Sequence, residues 1–216
     1  MTGGLLRAGL LALLTLAAAA CTAPAADEWD SAEQVRRAAH APDGPPRVTL
    51  YTMVSTTNGR GEHAALLIDG AQRILFDPAG TWFHRTAPRR HDVHYGMRPA
   101  LLDLYLDYHA RETFDVNVHE LDVSAQTAAR LIAAAEGHPP VRNAFCARSI
   151  STILRQDPAL APYVDTTFFP NRLAEDFTRI PGVRVSVISD DSAHDNGATL
   201  AAQQRALDGA PAQAVR

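Results

Sequence analysis

Pro139-Pro140-Val141-Arg142-Asn143-Ala144-Phe145-Cys146-Ala147-Arg148-Ser149-Ile150-Ser151-Thr152-Ile153-Leu154-Arg155 is the stretch whose reading decides the rest, because it holds Cys146, the only cysteine beyond the leader. The paired prolines stop whatever precedes them. Asn143 is a preferred N-cap residue, and from Ala144 onward the pattern reads as helix, which puts Cys146 in a first turn. Free N–H groups and the positive end of the helix dipole favour thiolate there, and Arg142 and Arg148 are expected to push the same way. Helical spacing sets Cys146 on one face with Ile150, Ile153 and Leu154, so the competing reading is a small core residue.

The chain's 216 residues are enough for one domain with a core and tails. The formal net charge is −4, with no basic stripe, so nucleic-acid binding has no support. Every cationic side chain other than histidine is arginine, which excludes Schiff-base chemistry and lysine general bases.

Residues 1–20 read as an export signal: Arg7, an apolar run from Leu10 to Leu16, then Ala17 to Ala20. Small residues ahead of Cys21 resemble a bacterial lipobox, which implies cleavage before Cys21, lipid attachment to its sulfur and anchorage to the envelope membrane. The alternative is ordinary cleavage and a soluble periplasmic or secreted protein. Either way the mature body keeps one thiol with no disulfide partner, a liability in an oxidising compartment unless its chemistry is used.

Residues 21–46 are rich in alanine, proline and charge and are read as a tether with one amphipathic turn from Glu28 to His40. The domain is expected over 47–188. Arg47 to Thr56 and His63 to Ile68 are strand-like, Asp69-Gly70-Ala71-Gln72 signals a hairpin, and Arg73 to Asp77 is the return strand. A three- or five-residue loop puts Asp77 on the His63 face, and a two- or four-residue loop puts it on the other.

Ala79 to Met97 reads as loop. Helices are expected from Pro99, over Ala125 to Glu136 between Ser124 and Gly137, at the cysteine, and from Pro170. Phe114 to Val123 and Val183 to Ile188 read as strands, and 189–216 as a disordered tail. The expected fold class is α+β, an antiparallel sheet with packed helices.

A cysteine nucleophile needs a base and a group to orient that base. His63, at a strand start followed by the small Ala64 and Ala65, is the candidate base, and Asp77 the candidate orienter. Their bland readings are a half-exposed strand-end histidine and a turn former ahead of Pro78. His84 is a fallback partner. His91, Asp92 and His94 match a zinc site only loosely and read better as loop residues, so no metal or other cofactor is expected, and His109 and His119 read as surface residues.

A histidine on a small-residue strand, a polar residue on the return strand, and a later cysteine opening a helix together resemble the circularly permuted papain-like fold. That branch holds the permuted NlpC-type amidases and peptidases and the lecithin:retinol acyltransferase-like proteins, and the likeness covers about Arg47 to Ile188. The resemblance implies Cys146 as nucleophile, His63 as base, Asp77 as third member, and the Cys146 N–H in an oxyanion site. Tyr51 is a candidate second donor there, with Asn143 in support. The implied activity is thiol hydrolysis or acyl transfer on a peptide, a cell-wall peptide or an acyl lipid. The chain departs from the family in lacking a Gly-Asp pair before Val48, and Asn143 stands three residues ahead of Cys146. The rival reading is a non-catalytic envelope lipoprotein that uses the same groove for binding.

Overall fold

The computed structural model describes residues 29–208, so the expected signal segment and Cys21 lie outside the described residues. The strands are β1 (Arg47–Ser55), β2 (Gly61–Asp69), β3 (Arg73–Phe76), β4 (Arg89–Arg90), β5 (Val93–Tyr95), β6 (Phe114–Asp122) and β7 (Arg184–Ile188). They form one seven-stranded sheet in the order β4-β5-β3-β2-β1-β6-β7. Every neighbouring pair in it is antiparallel. The helices are α1 (Ala32–Ala38), α2 (Pro99–His109), α3 (Ala125–Glu136), α4 (Cys146–Leu154), α5 (Pro170–Thr178) and α6 (Asn196–Asp208). The α+β class expected from sequence is the one observed.

Alternation along the central strands divides the core into two clusters. Leu50, Ala64, Leu66, Ile68 and Phe76 pack beneath α3, α4 and α5 through Leu131, Ile150, Ile153 and Phe177. Tyr51, Met53, Ala65, Leu67 and Leu75 face the other way, toward Leu101, Tyr105 and Tyr108 of α2. Strand period and helix stripe thus agree, and both faces of the sheet are covered.

Three segments depart from the sequence reading. Residues 29–46 do not behave as a free tether: Ser31 and Gln34 form a capping box at the start of α1. Asp30 exchanges hydrogen bonds with Arg89 and Arg90, and Arg73 N–H donates to the His40 carbonyl. The stretch expected as loop, Ala79 to Met97, contains β4 and β5, two strands too short for periodicity to reveal.

Asn196–Asp208, expected to be disordered, is a helix docked through Leu200, Gln203 and Gln204, with Gln203 making the buried contacts. Gln203 is buried. It accepts from Trp82 Nε1 at 3.2 Å and donates to the Leu104 carbonyl at 2.8 Å and to Asp107 Oδ2 at 2.9 Å. Leaving the buried Trp82 N–H without a partner costs about 1–3 kcal/mol. Gln203→Ala is therefore expected to loosen α6 while the sheet stays intact, read as faster hydrogen exchange confined to 196–208 and the facing turn of α2.

Candidate active site

The site forms where β3 leaves β2. The hairpin loop is the three residues between Asp69 and Arg73, and pairing runs only as far as Leu66↔Phe76. Beyond that point the backbone of β3 turns to β5, where Asp77 N–H donates to the Asp92 carbonyl at 2.8 Å. The start of β2, including His63, Ala64 and Ala65, therefore has an open edge on that side. This odd loop length puts Asp77 on the His63 face, and Asp77 Oδ1 lies 2.6 Å from His63 Nε2. A turn through Pro78 and Ala79 follows, closed by Gly80 N–H to the Asp77 carbonyl, with Ala79 at φ 60°. Gly80 is required by contact: a Cβ there would fall 1.9 Å from Asp77 Oδ2.

Cys146 reaches the same open edge from the opposite face of the sheet, as the first residue of α4. The His63 side chain and the backbone N–H groups of Ala64 and Ala147 adjoin its sulfur and favour the thiolate. Since His63 Nε2 is engaged by Asp77, Nδ1 is left for the sulfur. The cysteine is only 5% exposed, while the His63 side chain keeps 20% of its surface open.

Burial alone would raise the thiol pKa, but His63 and the two amides outweigh it and the net direction is down. Burial would likewise push the His63 imidazolium down, yet the charge and hydrogen bond of Asp77, with the sulfur, raise it to about 10. Asp77, fully buried, is held well below the usual carboxylate range by His63 despite its desolvation. Near neutrality His63 is therefore imidazolium and Asp77 carboxylate, and the Cys146 thiol is biased toward its thiolate.

Not every expected site residue is here. Asn143 is exposed and does not cap the helix; the N-cap position is Phe145, preceded by Ala144 at φ 69°. Tyr51 is buried in the α2-side core, and the charges its hydroxyl feels are Asp69, Arg73 and Glu120, none of them in the site. Arg142 and Arg148 are exposed, and Arg148 lies over the Phe168 ring; neither is among the groups that lower the thiol. His84 stacks on Trp82 and bonds Thr86, away from the sulfur, so it is no fallback partner. Among the described residues no group of three or more His, Cys, Asp or Glu is placed to hold a metal.

Other residues join without having been expected. Tyr105 donates its hydroxyl to Asp77 Oδ1 at 3.2 Å. His109 lies near-parallel to His63, with ring centroids 6.0 Å apart, and its Nδ1–H donates to the Tyr105 carbonyl. His94 is fully buried with neither ring nitrogen hydrogen-bonded, 3.9 Å from Asp77 Oδ2. Burial dominates for both extra histidines and lowers each pKa to about 4, so both are neutral at pH 7. His119 is not a surface residue either; it is buried on β6, outside the site. The i,i+4 pair Tyr105 and His109 on one helix was the signal available for α2.

Comparison with family models, curated proteins and solved structures returned no match to this chain.

Two measurements follow from the charge states. The alkylation rate of Cys146 against pH should show a midpoint below the ordinary thiol range, and His63→Ala should move it up toward or past that range. An unshifted wild-type midpoint would sink the ion-pair assignment. The second concerns stability. His94 and His109 resist protons down to about pH 4 in the folded chain, whereas free histidines take them near 6.5, so stability falls with pH across that window. His63, raised instead, keeps its stabilising contribution throughout this range. Denaturant unfolding at pH 7 and pH 4.5 should differ by about 4 kcal/mol, and His94→Phe should roughly halve that difference.

Proposed function

We propose that the protein is an exported, lipid-anchored thiol hydrolase or acyltransferase of the permuted papain-like type, acting through a Cys146 acyl-enzyme. The observation that supports this reading is the convergence of Cys146, His63 and Asp77, from helix α4, strand β2 and the end of β3, on one open strand edge. The order in the chain, histidine before cysteine, is that of the permuted branch.

The Cys146 thiolate attacks the carbonyl carbon of an amide, ester or thioester. First-turn N–H groups of α4, which has no side-chain cap, face the developing oxyanion. The His63 imidazolium gives its proton to the leaving group as the carbon–heteroatom bond breaks. The resulting neutral His63 then takes a proton from water or from an acceptor hydroxyl or amine, which attacks the thioester and frees the thiolate. Asp77 holds the imidazole by Nε2 and keeps Nδ1 aimed at sulfur, and Tyr105 fixes that carboxylate in turn. Candidate substrates are peptides, cell-wall peptides or acyl lipids, met at the membrane where Cys21 would anchor the chain.

The test is acylation by a 4-nitrophenyl ester. A burst of nitrophenol with the acyl group mapped to Cys146 is expected. Cys146→Ala should abolish it, and Asp77→Asn should slow acylation by about 10²-fold while retaining the fold. Hydrolysis that survives Cys146→Ala would favour the non-catalytic reading of this thiol.

A further inference from the structure

Beside His63 opens a cleft of about 260 Å³ whose lining includes Glu62, His63, Tyr108, His109, Phe114 and Asn196. Strict alternation would turn Glu62 to the opposite face from His63. The register between β1 and β2 shifts here, from Met53↔His63 to Val54↔Gly61, leaving Glu62 as the extra residue of a β-bulge. Bulges re-aim side chains, and this one lets two consecutive residues line one cleft.

The chemistry of that cleft is specific in sign. Glu62 is its only carboxylate, no arginine lines it, and Glu62 has no ion-pair partner among the described residues. The rings of Tyr108 and Phe114 and the neutral imidazole of His109 supply π faces. Asn196 Oδ1 is a buried acceptor with no hydrogen-bond partner. The His63 imidazolium is balanced by the Asp77 carboxylate, and the adjoining thiol is biased toward its anion, so the triad adds no net positive charge beside the cleft. A carboxylate among aromatic faces is the environment that holds an ammonium group.

We propose that this cleft is the leaving-group subsite of the thiol reaction and that it selects leaving groups bearing an organic cation, with Glu62 as the specificity-determining residue. The inference rests on the acyl-enzyme reading, because the leaving group is the part of the substrate that His63 must reach with its proton.

The probes are benzoylthiocholine and its uncharged isostere, S-(3,3-dimethylbutyl) thiobenzoate, in single-turnover acylation of the intact protein. In each, the Cys146 thiolate forms a new thioester bond to the benzoyl carbon, and the departing thiolate takes the His63 proton. The cationic probe should acylate faster by about three- to tenfold, the range that a partly exposed ion pair and a cation–π contact allow. Glu62→Gln should bring the ratio of the two rates to about one, and Glu62→Asp should restore part of it. Acylation of Cys146 at equal rates by both probes, or a ratio unchanged in Glu62→Gln, overturns the subsite while leaving the thiol chemistry standing. No benzoyl group on Cys146 from either probe overturns both.

Discussion

The hydrogen bond between His63 and Asp77 depends on a parity. Three residues in the turn after Asp69 place Asp77 on the His63 face of the sheet, and one residue more or fewer would send the carboxylate to the α4 side. The same strand then departs from β2 after Phe76, which uncovers the N–H of Ala64 for the sulfur. One short strand therefore supplies the orienting carboxylate and, by ending early, the opening through which a helix on the far face presents its cysteine. Lengthening β3 by a single ladder pair would cover that edge.

This dependence explains which parts of the molecule were legible in the sequence. Strands β1 and β2 are runs of strand-forming residues, β6 was read by its alternation, and Ser124 and Gly137 bracket α3, so propensity, periodicity and capping chemistry found them. His63, Cys146 and Asp77 stood out because each combines reactive chemistry with a position at the end of an element. The remainder depended on long-range contact. Strands β4 and β5 flank a tight reversal at His91 and Asp92, both at positive φ, and carry too few residues for any period. His94 lies beneath Asp77, His109 beside His63 and Gln203 under Trp82, and none is close in sequence to its partner. Asn143 misled for a local reason: Ala144 adopts a left-handed conformation, so the chain reverses before the helix begins, and Phe145 stands where a capping side chain was expected.

Surrounding one carboxylate with three imidazoles raises the question of which of them carries charge. Separation decides it. His63 meets Asp77 at 2.6 Å and also faces a sulfur that becomes anionic, so two negative neighbours offset its desolvation. His94 lies 3.9 Å from the other carboxylate oxygen, fully enclosed, and a charge there would be desolvated with a single distant partner. His109 feels the same carboxylate but also the His63 imidazolium beside it, and like charges in a low-dielectric space disfavour a second proton. The neutral pair therefore pack as aromatic rings that exclude water from Asp77, which strengthens the one ion pair that remains.

That enclosure has a structural cost, visible in unsatisfied atoms. Asp77 Oδ2 and both nitrogens of His94 lack hydrogen-bond partners, and Ala79 and Ala144 hold positive φ on either side of the triad. Each such feature costs on the order of 1–3 kcal/mol, more than a small domain carries without compensation. The compensation lies in the two cores that clamp the central strands from both faces, with Trp82, Tyr105 and Phe76 fully buried around the site. The unpartnered oxygen of Asp77 and the unpartnered ring of His94 are thus held in place by packing on both faces of the sheet rather than by hydrogen bonds of their own.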